Sequence, residues 1–361
     1  MNREFKTLMV TGGAGFMGSS FIRHAFRTAG FKGRILNVDK LTYAGDKENL
    51  ADLASESEAG RYQLLQHDIC DPEAMGRIVR DERVDGIVNF AAESHVDRSI
   101  AAAQAFGATN VLGTLTLLEA ARAAWGDRRD VLFHQISTDE VFGSCPELRE
   151  FAEDDRYEPS SPYAASKAAA DHMVRSFGVT HALPCTITRA TNNYGPYQTP
   201  EKFIPLVLTR LYARETIPVY GKGDNVREWL FVDDHTRAVW TVVTRGNAGE
   251  SYNIGSGERL TNLDLIHRLG REVAARTGRA PDFFQALLEL TTDRPGHDKR
   301  YALSTEKLGR DLGWKPAVPF DQGMKATVAW YGQNEAWMAR ARTRLDNWLK
   351  AEGTAWAKRR S

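Results

Sequence analysis

The chain has 361 residues, enough to bury one large or two moderate cores without disulfide or metal staples. Lysine plus arginine and aspartate plus glutamate both number 47, so composition offers no global basic field for nucleic acid or a membrane surface. Cys70, Cys145 and Cys185 are odd in number and widely spaced, with no Cys-x-x-Cys or Cys/His ligand spacing, which argues against a disulfide framework and a metal and for a reducing cytoplasm.

The opening MNREFKTLMVTGG passes from polar residues straight into a short strand, and no apolar run reaches the ~20 residues that span a bilayer, so a soluble, unprocessed chain is expected. Short apolar strands are predicted at Thr7 to Val10, Ile35 to Val38, Tyr62 to Leu65, Gly86 to Phe90, Val131 to Ile136 and Cys185 to Thr188. Helical stretches alternate with them, including Ser99 to Trp125 and Ser161 to Phe177. That rhythm predicts an α/β fold with a doubly wound parallel sheet, helices on both faces. After about Ala190 the texture changes. NNYGPYQTPEKF is rich in turn-formers, and VREWLFVDDH and SYNIGSGE interrupt helices. The expected division is residues 1–190 as the main domain and 191–361 as a smaller, interleaved carboxyl-terminal lobe. A Trp-rich, charged helical tail, Gln322 to Lys358, is expected to pack on the body.

Between the first strand and its helix, TGGAGFMG places Gly12, Gly15 and Gly18 at three-residue intervals. Glycine permits a tight turn and close approach of backbone to a pyrophosphate, whose charge then faces the helix amino terminus. Asp39 closes the second strand 21 residues beyond Gly18, where an acid can accept from a ribose 2′-hydroxyl and disfavours a 2′-phosphate. NAD is therefore expected over NADP. Asp68 and Ile69 would lie near the adenine, and the segment from Phe90 to Ser94 near the middle of the dinucleotide. An unrelated glycine turn is the competing explanation, and the strand, helix and acid around it weigh against that.

Tyr163 and Lys167, in YAASK, lie one helical turn apart on one face. A lysine ammonium beside a phenol favours the phenolate, so a lowered Tyr163 pKa is expected. Thr138, Asp139 and Glu140 follow an apolar strand. Two adjacent acids there cost desolvation and mutual repulsion unless chemistry uses them, since one anion raises its neighbour's pKa and lets an acid and a base coexist.

TGGAGFMG together with YAASK resembles the extended short-chain dehydrogenase/reductase family. NVDKLTYAG, AAESHVDRSI, STDEVFG, NNYGPYQTPEK, VREWLFVDDH and DRPGHDKRYA, in order across roughly residues 7 to 332, resemble its dTDP-glucose 4,6-dehydratase branch. The resemblance implies an NAD-binding Rossmann domain, a nucleotide-sugar-binding lobe and a homodimer built on the helices at about 99–125 and 161–177. It implies C4 oxidation with Tyr163 as base, Glu140 removing the C5 proton, protonated Asp139 donating to the departing 6-hydroxyl, and hydride returned to C6. Thr138 would orient the 4-hydroxyl. Cofactor contacts carried over by the resemblance are Phe16, Met17, Lys40, Leu41, Thr42, Ala91, Ala92, Ser94, Thr109 and Asn193. Substrate contacts are Ser94, Asn192, Lys202, Phe203, Pro218, Val219, Tyr220, Arg227, Asn262 and the run Asp293, Arg294, Pro295, Gly296, His297. Arg227 also makes sense by itself, because a guanidinium fork binds phosphate oxygens. His95 is read as structural support. Thr199 stands where the family often has an aromatic residue. The same chemistry on UDP-glucose or another nucleotide-hexose, an epimerase or decarboxylase on the same scaffold, and a non-catalytic NAD sensor are the alternatives.

Overall fold

The structure, a computed structural model, describes residues 2–352; the end of the expected tail, 353–358, lies outside the described residues. Six strands come where the apolar runs predict them: β1 (Thr7–Thr11), β2 (Arg34–Asp39), β3 (Tyr62–Gln66), β4 (Gly86–Asn89), β5 (Leu132–Thr138) and β6 (Cys185–Ala190). Beyond them lie β7 (Asn192–Tyr194), β8 (Ile217–Tyr220), β9 (Val226–Phe231), β10 (Ser251–Ile254), β11 (Arg259–Thr261) and β12 (Leu288–Thr291).

Seven strands form one parallel sheet in the order β10-β6-β5-β4-β1-β2-β3. β1, β4 and β5 are buried along their whole length, which is why they read as continuous apolar runs; β3, at the edge, is only half-buried. Strand order reverses between β1 and β4, and in such sheets the crevice beyond the strands' carboxyl ends at that point is the natural ligand site. The outermost strand, β10, and the helix Val232–Arg245 that packs on Phe16–Arg27 both come from beyond residue 190, so the two bodies interleave.

The smaller body joins the β11-β9-β7 sheet and the β12-β8 ladder to helices Phe203–Ala213 and Asn262–Thr277 around Trp229, Leu211, Leu265, Phe284 and Val328. Helix Phe320–Gln333 completes that core. Helix Glu335–Glu352 then returns to the large body and closes Leu345 and Leu349 on Tyr43. Among the described residues no helix is long and apolar enough to cross a membrane.

One expected helix differs. The run 99–125 is not continuous: Val96–Ala101 and Ala103–Phe106 are separated by Ala102 (φ −145°, ψ 55°), Gly107–Gly113 is π-helical, and Thr114–Trp125 is α-helical. The apolar spacing predicts one straight rod, but the side chain of Asn110 is pulled aside to bond the Glu93 backbone at both ends. It accepts from the Glu93 N–H at 2.9 Å and donates to the Glu93 carbonyl at 2.9 Å. A π turn, which widens the helix locally, accommodates that. The helix expected at 161–177 is present as Pro162–Thr180; the Ser161 hydroxyl caps it by accepting from Ala164 N–H, and Pro162 occupies the first turn, where its missing N–H costs nothing.

Candidate active site

The glycine loop leaves β1 at the switch point and enters helix Phe16–Arg27. Gly12 has φ +66°, and a Cβ there would sit 2.7 Å from the backbone nitrogen of Ala91; a Cβ on Gly18 would sit 2.4 Å from the carbonyl oxygen of Gly12. Both glycines are thus required by close backbone approach. The helix has no acid in its first turn and no side-chain cap, which leaves its positive end toward the cavity lined by Phe16, Met17 and Gly18.

Asp39, at the end of β2, lines the same cavity, but its carboxylate is already engaged. It accepts from the Ala14 N–H at 2.9 Å and the Leu41 N–H at 2.8 Å. The acid therefore also pins the glycine loop to the loop after β2, and burial holds its pKa above the ordinary carboxylate range. Lys40 and Thr42 line the cavity, as do Asp68, Ile69, Phe90, Ala91, Ala92, Ser94 and Thr109. Leu41 (φ +55°) is not in the wall and contributes through its N–H.

β5 delivers Thr138, Asp139 and Glu140, and helix Pro162–Thr180 delivers Tyr163 and Lys167; all five line one cavity wall with Asn192 and Asn193. The Thr138 hydroxyl hydrogen-bonds Tyr163 and lies 3.2 Å from Asp139 Oδ1. Burial drives the pKa of Asp139 well above the usual carboxylate range, and the Glu140 charge pushes it further. Glu140 is raised by burial too, but Arg294, Arg227 and Lys202 face it and pull it down. The two neighbours thus sit in different electrostatic surroundings. Both carboxyls are pushed toward their neutral forms, Asp139 further than Glu140, whose rise the cations oppose.

The expected lowering of Tyr163 by Lys167 is not found. Burial, then the Glu140 carboxylate, raises the phenol, while the Thr138 hydrogen bond lowers it. Lys167 instead donates to the carbonyl of Ile136 at 2.6 Å, and burial lowers its ammonium to about 8. Desolvation dominates both groups.

Lys202 reaches across from the smaller body and donates to the Ser94 carbonyl at 2.7 Å and hydroxyl at 3.1 Å, joining two expected ligand residues directly. The other expected nucleotide contacts do not line this cavity. Pro218, Val219 and Tyr220 lie on β8, where the Tyr220 hydroxyl donates to Asp97. Phe203 stacks on Trp229, and Asn262 opens a helix with its N–H on the Asn225 carbonyl. Arg227 stacks over Tyr301 at 4.2 Å and donates to the Asp298 carbonyl at 2.9 Å. In the last run, Asp293 pairs with His297 at 2.6 Å, Arg294 lies 3.6 Å from Asp97, and Gly296, next to Pro295, takes φ +66°. His95 caps helix Val96–Ala101 by accepting from the Arg98 N–H.

Several cavity residues escape sequence reasoning, among them Thr191, Gln198 and Glu201. Glu201 is buried and hidden in a segment that reads as a turn; its only signal is an acid immediately before Lys202. Buried polar atoms without a partner cluster at this wall: Ser137 Oγ, Asp139 Oδ2, Thr191 Oγ1, Asn192 Oδ1, Asn193 Oδ1, Gln198 Oε1 and Glu201 Oε2. Each such group costs about 1–3 kcal/mol if left unmatched. A ligand dense in hydroxyls and amides fits that wall, as a dinucleotide and a sugar are.

A family model described as GDP-mannose 4,6 dehydratase matches residues 9–327. The dTDP-glucose 4,6-dehydratase 1 of Escherichia coli (strain K12) is 46% identical over 345 residues, covering 92% of this chain and 94% of its own. The solved dTDP-glucose 4,6-dehydratase DesIV from Streptomyces venezuelae, with NAD bound, is 43% identical with a TM-score of 0.85, covering 93% of this chain and 99% of its own. That from Bacillus anthracis, in complex with NAD, is 37% identical with a TM-score of 0.81, covering 93% and 99%. Sequence, fold and the acid pair beside Tyr163 agree: the chain belongs to the dTDP-glucose 4,6-dehydratase family.

Proposed function

We propose that this chain is an NAD-dependent hydro-lyase that converts dTDP-glucose to dTDP-4-keto-6-deoxyglucose, with no net oxidation. The observation that carries the reading is the pair Asp139 and Glu140, adjacent and beside Tyr163, both raised by burial but Asp139 the further, because Arg294 and Lys202 oppose the rise at Glu140. The glycine cradle, the acid-free helix terminus and the orphaned amide oxygens fit NAD; Gly12, Gly15, Gly18, Asp39, Thr109, Lys167 and Asn193 would hold it.

When bound, NAD supplies the hydride acceptor at C4 and the donor at C6. Thr138, already hydrogen-bonded to the phenol, orients the sugar 4-hydroxyl toward Tyr163, which takes its proton. As a base Tyr163 reacts as its phenolate, and Lys167, one helical turn away, is the cation on its helix face. The resulting 4-keto group acidifies C5. Glu140, faced by Arg294, Arg227 and Lys202, removes the C5 proton as its carboxylate, neutral Asp139 protonates the departing 6-hydroxyl, and C5 is reprotonated once C6 has been reduced. Asn192 and Ser94 are assigned to the sugar. Lys202, Phe203, Pro218 to Tyr220, Arg227, Asn262 and Asp293 to His297 are assigned to the nucleotide, which extends from the cavity toward the smaller body. A homodimer through the helices at 99–125 and 161–177, working in the cytoplasm, completes the proposal.

The test is dTDP-glucose deuterated at C4. The product should be the 4-keto-6-deoxy sugar with the label at C6, formed faster than from UDP-glucose. Glu140→Gln should lower dehydration by about a hundredfold or more while C4 oxidation stays detectable, since general-base catalysis supplies roughly that factor. Label remaining at C4 with no keto sugar from either substrate would overturn the proposal.

A further inference from the structure

We propose that helix Glu335–Glu352 is a clasp over three cofactor-lining loops, with Arg98 as the positioning residue at its centre, and that it retains the dinucleotide through the whole catalytic cycle. This rests on the NAD-dependent reading above. The cavity wall draws on the glycine loop, the loop from Lys40 to Gly45 and the segment from Phe90 to Ser94. These are separate pieces of chain, and each is tied to this one helix.

The ties are specific. The Arg98 guanidinium, 3% exposed, donates to Glu93 at 2.8 Å and to the Tyr43 hydroxyl at 3.0 Å, which joins the second and third loops. Trp348 covers that guanidinium with its ring centroid 3.9 Å away and packs on Tyr43 at 4.7 Å, so the cation is stacked and shielded. One turn earlier, Arg344 pairs with Asp46 at 2.5 Å, and near the helix start the Trp337 N–H donates to Asn49 at 2.9 Å. Asp46 N–H and Asn49 Nδ2 both donate in turn to the carbonyl of Ala14, inside the glycine loop, at 3.0 and 2.9 Å. Leu345 and Leu349 fill the gap against Tyr43, with Ala44 beside them.

The chemistry needs such a device. Hydride removed from C4 must return to C6 of the same sugar, so a dinucleotide lost between those steps would strand an oxidised sugar and a reduced cofactor. Residence must outlast turnover. Opening the loops after β2 and β4 requires Arg98 to lose both partners and its aromatic cover at once. The clasp also lies beyond the segment matched by the family model, which ends at residue 327.

The experiment measures NAD itself. The full-length chain is passed through desalting, its bound dinucleotide is counted after denaturation, and NAD release is timed by capture with excess trapping dehydrogenase. Trp348→Ala and Arg344→Ala should each lose NAD on desalting and release it about tenfold faster or more, because weakened contacts act chiefly on the dissociation rate. Trp348→Phe should restore slow release, and turnover by Trp348→Ala should become dependent on added NAD. Both side chains are only half-buried at the helix surface, and Arg344→Ala removes a single ion pair, so a folded variant is available. Release within about twofold of the unaltered chain in both alanine variants would overturn the clasp. If the unaltered chain itself neither carries nor takes up NAD, the cofactor reading fails instead.

Discussion

Asp139 shows what it costs to bury the carboxyl proposed as the acid. Its side chain is 3% exposed, one carboxyl oxygen has no partner, and burial with the Glu140 charge holds its pKa well above the ordinary value. A raised folded-state pKa has a definite consequence for stability. Below the unfolded value of about 3.9 both states bind the proton and nothing is lost; as pH rises, the unfolded chain ionises freely while the folded chain resists, so stability falls through that window. Asp139→Asn removes the ionisation and keeps the shape. It should raise stability at pH 7 by about 1 kcal/mol or more, with the advantage narrowing as pH is lowered to 5, while dehydration is lost. Urea unfolding at the two pH values checks this. An asparagine variant less stable than the parent at pH 7 would mean that the carboxyl is satisfied in a way this geometry does not contain.

The break in the helix over 96–125 is the element that most separates sequence from structure. Strands were legible because parallel strands buried on both faces must be apolar throughout, and the glycine loop because Gly12 and Gly18 admit no side chain. The acid pair and YAASK were legible because their residue types are expensive or improbable without chemistry. The π-helical segment was not, because Ala, Leu and Thr at helical spacing look alike whether the rod is straight or widened, and what widens it is a long-range bond from Asn110 to Glu93. Glu201 was hidden for a similar reason: its burial goes with long-range neighbours, Tyr43, Arg98 and Glu93, that lie far away in the chain. Asn110 is therefore the residue on which this element turns. It is fully buried, bonds both backbone groups of Glu93 and donates to Ser166 at 2.8 Å on the catalytic helix. Asn110→Ala strands those groups and should cost about 2–4 kcal/mol, by the usual cost of unmatched buried polar atoms. Equilibrium unfolding reads it, and a loss under 1 kcal/mol would show that a simple helix serves there equally well.

At the scale of the whole molecule, large apolar side chains stay exposed on the helices assigned to the dimer. Ile100 is 42% exposed, Leu112 58% and Val179 79%, and all three lie on the helical runs assigned to the dimer. Ala101, Ala108 and Ala165 are exposed on the same runs, and small residues let a second helix approach closely. Scattered apolar residues need no explanation, but exposure repeated on the two runs assigned to the dimer is what a second copy would cover. A twofold dimer places the same patch on both copies, so one substitution acts twice. The helices concerned also carry Thr109, Tyr163 and Lys167, which makes their packing matter to the site. Leu112→Glu puts two like charges into a desolvated interface and should shift the protein from dimer to monomer at micromolar concentration, with NAD-dependent turnover falling in parallel. Sedimentation equilibrium across a dilution series measures the first and product formation at the same dilutions the second. If the variant and the parent sediment alike as dimers, the contact lies on another face, and the exposed leucine must be explained by something other than a second copy of this chain.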